Sequence, residues 1–205
     1  MKIGWINGWA VPSAWFARQA SAAFPDAVHV IVAPGPCAVE TLAESGRFDV
    51  IVGYSLGSHL LLTDADHVNA LTDHVVLLAP VFAFAKEEAL GGRVSRTQVR
   101  FLERWLRTDR AAALDDFYGR AGLTECKASP TDADSTNLVW GLERLANGRC
   151  EPFLPANWCA YAGEQDALLD AGLLCARVPR VVLVKNATHH PAALINAWAA
   201  DFIHL

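Results

Sequence analysis

Ser55 lies in Gly53-Tyr54-Ser55-Leu56-Gly57, a G-x-S-x-G run. The β-branched stretch Val50-Ile51-Val52 leads into it, and Ser58-His59-Leu60-Leu61-Leu62, of helix-like composition, follows. Strand, sharp turn and helix in that order make the serine a nucleophile: the turn forces a strained backbone and presents Oγ above the sheet. The flanking glycines lack a Cβ and let strand and helix approach closely. At the first turn of that helix, the Leu56 N–H points at any charge developing on an attacked carbonyl oxygen. A capping serine in a glycine-rich turn is the other reading of these five residues; the buried strand before them weighs against it.

A serine hydroxyl needs a base to take its proton, and the base needs an orienting partner. Asp166 closes Gly163-Glu164-Gln165-Asp166, just past the apolar run 158–162, and His189 and His190 follow the run 181–184. In a parallel sheet the loops at the carboxyl ends of the strands share one edge, so both loops are expected beside Ser55. Taken singly, Asp166 serves equally well as a helix cap, and either histidine as a surface or capping residue. His59, one helical turn after Ser55, reads as packing; His29, His67, His74 and His204 have no supporting context.

The elements that must position these groups alternate. Strands are expected over 2–7, 27–33, 50–54, 75–78, 158–162 and 181–184, with helices over 14–24 (Ser13 as N-cap), 38–45, after Ser55, near 168–176 and over 191–204. Strands separated by helices of this length predict an α/β fold, a mainly parallel sheet covered on both faces. The alternation breaks after Pro80. From Lys86 to Arg149 no strand is expected, and helices are predicted over 94–108, 111–118 and 135–145. The organisation predicted is a core of 1–80 and 151–205 interrupted by an all-helical lid, 81–150.

Composition narrows the classes further. The chain has 205 residues, 53% hydrophobic, with a mean hydropathy of +0.21, consistent with one well-filled domain and not with disorder. No apolar run approaches the ~20 residues of a membrane span. Five cysteines, an odd number without paired metal-ligand spacing, and no visible signal peptide point to reduced thiols in a cytoplasmic protein. A net charge of −5 argues against general nucleic-acid binding. No metal or organic cofactor is expected, and a monomer is.

Gly8-Trp9, Gly53-Tyr54-Ser55-Leu56-Gly57, Gly163-x-x-Asp166 and His189-x-Pro191 together resemble the α/β-hydrolase superfamily across essentially the whole chain. Within it they look most like the pimeloyl–acyl-carrier-protein methyl ester esterases of biotin synthesis. The resemblance implies the α/β-hydrolase fold with a helical lid, and a Ser55, Asp166, His189 triad in the family's order. It prefers His189 because Asn186-Ala187-Thr188-His189-His190-Pro191 resembles the family's small-small-Gly-His-x-Pro, leaving His190 in the variable slot. It also places a second oxyanion donor, the Trp9 N–H, after the first strand. Departures are Asn7 for a common histidine, Ala10 for a common glycine, Thr188 for glycine, and no antiparallel strands before residue 7. The implied activity is hydrolysis of a carboxylic ester, the methyl ester of pimeloyl–acyl-carrier protein first. A small-ester carboxylesterase, a thioesterase, a carbon–carbon bond hydrolase or a catalytically idle binding protein are the alternatives.

The lid carries one more signal. Arg93, Arg96, Arg100, Arg104 and Arg107 recur every three or four residues, along one helical face. Residues 93–110 hold six arginines against Glu103 and Asp109. Val94, Phe101, Leu102, Trp105 and Leu106 make the opposing face, suited to roofing an apolar pocket. Taken alone, such a charge run reads as a solvated helix face; the family resemblance is what implies that Arg96, Arg100 and Arg104 bind substrate or an acidic acyl carrier protein.

Overall fold

A computed structural model describes residues 1–128 and 133–202. Its centre is a six-stranded, wholly parallel sheet in the order β2-β1-β3-β4-β7-β8, where β1 is Lys2–Ile6, β2 Val28–Val32, β3 Val50–Tyr54, β4 Val75–Leu78, β7 Trp158–Gly163 and β8 Val181–Val184. Every residue of β3 and β4 is buried, as β-branched and leucine side chains on a sheet covered on both sides must be. The edge strands β2 and β8 are more open.

Right-handed crossovers explain the layers. The chain first steps outward from β1 to β2 through α1 (Ser13–Ala23), then reverses and runs through α2 (Ala38–Ala43), α3 (Leu56–Thr63), α4 (Ala65–Leu71) and α8 (Ala171–Arg177) toward β8. Reversal of direction at fixed handedness puts α1 on the face opposite α2. The last helix, α9 (Pro191–Phe202), returns to pack on α1. Fully buried Trp5 fills that face, edge-on to Phe16 and Trp198 at 5.6 and 5.8 Å. The direction reverses between β1 and β3, which is where such sheets open a crevice.

Between β4 and β7 the chain builds α5 (Arg96–Thr108), α6 (Arg110–Ala121), a short 3₁₀ turn (Thr124–Ala128) and α7 (Ser135–Asn147). An all-helical insertion was expected; the structure differs. β5 (Ala83–Ala85) and β6 (Gly91–Val94) pair in parallel as a separate two-stranded sheet, and α5 begins two residues later than predicted. A three-residue strand and a four-residue strand that opens on Gly91 and Gly92 carry too little hydrophobic alternation to be read. Their pairing rests on backbone proximity, since a Cβ on Gly92 would overlap the Phe84 carbonyl oxygen. Ser95 starts α5 with a full capping box to Gln98. Ser13, expected as an N-cap, is instead the first residue of α1, which Pro12 precedes without a side-chain cap. The expected last helix extended to residue 204, and its end lies outside the described residues.

Candidate active site

The turn from β3 into α3 places Ser55 at φ 53° and ψ −114°, outside the regions a serine ordinarily occupies, at a cost of about 1–3 kcal/mol. What over-determines it is local. A Cβ at Gly57 would overlap the Ile6 carbonyl oxygen, and one at Gly53 would come 2.7 Å from the Ser58 Cα. Ser58 Oγ donates to the Ser55 carbonyl at 2.6 Å and accepts from the Val81 N–H at 2.9 Å, tying the turn to the chain beyond β4.

Ser55, His189 and Asp166 form one hydrogen-bonded chain at the carboxyl ends of β3, β8 and β7. His189 Nε2 lies 3.0 Å from Ser55 Oγ, and His189 Nδ1 lies 2.7 Å from Asp166 Oδ2. The other carboxylate oxygen, Oδ1, accepts the N–H groups of Leu168 (2.8 Å) and Leu169 (3.0 Å). All three side chains are buried, Ser55 the least so. Burial pushes the Asp166 carboxyl upward, but His189, through charge and hydrogen bond, and the two amides outweigh it and hold the group below its usual value. An ionised Asp166 fixes Nδ1 of His189 as the donor and leaves Nε2 free to accept the Ser55 proton. The helix-capping role open to Asp166 on sequence falls to Asp170, whose carboxylate accepts the Leu173 N–H.

His190 points elsewhere. Its ring stands edge-on to Trp15 at 5.3 Å and its Nε2 faces Glu125 at 3.3 Å. His59 is buried beside the Val81 carbonyl (3.0 Å from Nδ1), and burial lowers its pKa, with Arg144 adding to the effect and the Val81 bond opposing it. It is a neutral packing residue. His204 lies outside the described residues.

The N–H groups of Leu56 and Trp9 make no hydrogen bond among the described residues, and each sits where the chain turns away from its strand beside Ser55. Trp9 also walls a cavity of about 570 Å³ together with Phe84, Leu142, Ala167, Leu168 and the lid residues Val99, Phe101, Leu102, Trp105 and Phe117. Ala167 and Leu168 directly follow Asp166, so the Asp166 loop and the Trp9 turn both wall this apolar space. Arg104, Arg93 and Arg120 line it as well. Of the arginines picked out on the lid, Arg104 thus reaches the cavity and Arg100 is exposed on α5. Arg96 does neither: its guanidinium pairs with Glu88 and donates to the Ala146 carbonyl at 3.0 Å.

Several supporting residues have no signature in the sequence. Tyr54 OH donates to the His189 carbonyl at 2.8 Å, and Arg93 Nη1 donates to the Asp166 carbonyl at 3.1 Å. Their partners lie 135 and 73 residues away, so nothing local marks them. Among the described residues no group of histidine, cysteine and carboxylate side chains has the geometry to hold a metal.

This sheet, its elbow after the third strand and the helical insertion after the fourth define an α/β-hydrolase fold. Comparison with solved structures agrees. An esterase from Exiguobacterium antarcticum matches with a TM-score of 0.76 at 12% identity, covering 100% of this chain and 91% of that one. The enol-lactonase from Burkholderia xenovorans matches at 0.69 and 16% identity, covering 100% and 91%. The bottromycin epimerase BotH, in complex with bottromycin A2, matches at 0.66 and 16% identity, covering 98% and 90%. At such identities the likeness is one of fold, and an epimerase among the matches shows why chemistry must be argued from the site. No family model and no curated protein sequence matches the chain.

Proposed function

We propose that the protein is a serine hydrolase of carboxylic esters. The observation that carries this reading is the unbroken chain from Ser55 Oγ through His189 to Asp166, at 3.0 and 2.7 Å, on a strained turn, with the Leu56 and Trp9 amides making no hydrogen bond among the described residues. Ser55 Oγ attacks the ester carbonyl while His189 Nε2 takes its proton. The carbonyl oxygen becomes an oxyanion held by the Leu56 and Trp9 N–H groups. His189 returns the proton to the departing alcohol, leaving an acyl-Ser55. Water then attacks the acyl group as His189 accepts its proton, and collapse of the second tetrahedral adduct returns that proton to Ser55 Oγ and frees the acid.

The apolar cavity supports a substrate with an extended acyl chain. The residues resembling the pimeloyl–acyl-carrier-protein methyl esterases, with Arg104 at that cavity and Arg100 exposed one turn before it on α5, support the finer reading: a methyl ester on a chain carried by an acidic acyl carrier protein. A small free ester is its alternative.

A fluorophosphonate probe should label the wild type and leave Ser55→Ala unlabelled, and ester hydrolysis should vanish with the label. Persistent labelling of Ser55→Ala would remove the nucleophile assignment. No labelling of either form would favour a binding protein with an idle triad. For the finer reading, the gene should rescue a biotin auxotroph lacking its methyl esterase; failure alongside active ester hydrolysis leaves a carboxylesterase of another substrate.

A further inference from the structure

The turn that carries Trp9 is held from two sides. On the core side the Val11 N–H donates to the Gly8 carbonyl at 3.2 Å, and Asn7 Nδ2 donates to the Val11 carbonyl at 2.9 Å. Even so, Ala10 sits at φ 57°, where a side chain with a Cβ is strained. A conformation of that kind persists only where surrounding contacts insist on it.

Those contacts come from the lid. Tyr118 of α6, buried and 108 residues distant in the chain, donates its hydroxyl to the Ala10 carbonyl at 2.7 Å. The Trp9 indole Nε1 donates to the Leu138 carbonyl of α7 at 2.8 Å, and the Phe117 ring stands edge-on to the indole at 4.6 Å. The Trp9 backbone is thus pinned between two lid anchors, its own side chain on α7 and the next residue's carbonyl on α6. Burial pushes the Tyr118 phenol up to about 12, so it remains a donor throughout the neutral range. A phenylalanine would fill the same space, so the hydroxyl is what the turn uses.

We propose that Tyr118 is a positioning residue for the oxyanion site, holding the Ala10 carbonyl so that the Trp9 N–H stays aimed at the attacked oxygen. The inference rests on the serine-hydrolase reading and adds to it that the lid, beyond roofing a pocket, completes the oxyanion hole. Loss of a full oxyanion donor typically costs 10²–10³ in kcat, and a misaimed one costs less.

Tyr118→Phe removes one oxygen and keeps the ring. The end point of fluorophosphonate labelling counts the competent Ser55 in each preparation, and kinetics with p-nitrophenyl butyrate are expressed per labelled site. Phenylboronic acid supplies the second readout: Ser55 Oγ bonds to boron, His189 takes the proton, and the anionic tetrahedral adduct occupies the oxyanion hole. The expected result is a fall in kcat of about 10- to 100-fold with KM within about twofold, and a boronate Ki raised by the same factor as kcat/KM falls. Unchanged kcat and Ki would overturn the proposal, and so would a fall in kcat without weaker boronate binding, which marks a purely structural role. A wild type that neither labels nor hydrolyses esters would instead fail the hydrolase reading itself.

Discussion

At the scale of single residues, the two adjacent histidines are the sharpest test of the site. Only His189 bridges Ser55 and Asp166. His190 accepts the Ala192 N–H at 3.2 Å on Nδ1 and turns Nε2 to Glu125. His189→Ala should lower kcat by roughly 10³-fold or more, since the nucleophile, base and orienter act as a unit. His190→Ala removes a clip to the lid and an N-terminal contact of α9. A partly exposed pair of this kind is worth about 0.2–1 kcal/mol, so kcat should fall less than about tenfold with a small drop in Tm. Steady-state kinetics of both variants decide the matter: equal or reversed losses would move the base to His190. The choice was legible in sequence only through the resemblance of 186–191 to a family loop. Physically, what separates the two rings is the direction each faces, and adjacent residues past a strand end carry no local pattern that reveals it.

At the scale of elements, the buried strands were the most legible feature. Val50–Tyr54 and Val75–Leu78 fall where their apolar runs lie, because a strand covered on both faces must be apolar throughout, while the edge strand Val181–Val184 was marked by its β-branched composition although Val182 and Leu183 are exposed. The elbow was legible for a related reason: Gly53 and Gly57 are demanded by geometry. What could not be read is what depends on distant backbone. β6 is recognisable only once Arg93 N–H donates to the Leu168 carbonyl (2.9 Å) and Asp170 N–H to the Gly91 carbonyl (2.7 Å), contacts that fasten the Asp166 loop to the lid. Likewise Ser13 has the composition of a cap, yet Asn7 Nδ2 points at its hydroxyl from 3.4 Å while Pro12 precedes the helix. The elbow supplies a prediction of its own. In Gly57→Ala the new methyl would overlap the Ile6 carbonyl oxygen and lie 2.8 Å from that of Asn7, both backbone atoms at the root of the Trp9 turn. Relief requires β1 and α3 to separate, so stability in urea should fall by about 1–3 kcal/mol, as for an overpacked core. The kcat should fall as well, because the same movement spreads the Leu56 and Trp9 N–H groups, the proposed oxyanion donors, apart. Wild-type stability and kcat in this variant would show that the close approach is not needed.

At the scale of the whole molecule, charge is distributed against the net balance. The chain carries −5, while the segment around α5 is strongly basic. Much of that basicity is spent internally. Arg96 is taken by Glu88, Arg107 by Glu103 at 2.9 Å, and Arg93 by the Asp166 carbonyl and, at 3.9 Å, by Asp170. The Arg100 and Arg104 guanidinium groups have no hydrogen bond or ion pair among the described residues; both residues are exposed one helical turn apart on α5, and Arg104 also lines the cavity. Under the proposed carrier reading, these two are the arginines of the stripe whose charge is not taken up by an internal ion pair among the described residues, whereas Arg96 is held by Glu88. Arg100→Gln with Arg104→Gln should lower kcat/KM for an acyl-carrier methyl ester by about 2- to 30-fold, at about 0.2–1 kcal/mol for each exposed contact. With saturating carrier ester kcat should be kept, because docking and not bond cleavage has been weakened. Hydrolysis of p-nitrophenyl butyrate should change much less, since a small ester needs only Ser55 and the apolar part of the cavity, and Arg100→Gln alone, at a residue outside the cavity lining, should leave it unchanged. Raising the salt concentration should reproduce the double substitution in the wild type and add little to the variant, exposed charges being screened beyond a Debye length of ~8 Å at physiological ionic strength. Arg96→Gln alone should behave differently, costing some stability through the lost contacts to Glu88, which keeps Arg149 at 3.4 Å, and to the Ala146 carbonyl, without a selective loss toward the carrier ester. If both esters respond alike to the double substitution, or neither responds, these arginines form only a solvated helix face, and a small free ester becomes the better description of the substrate.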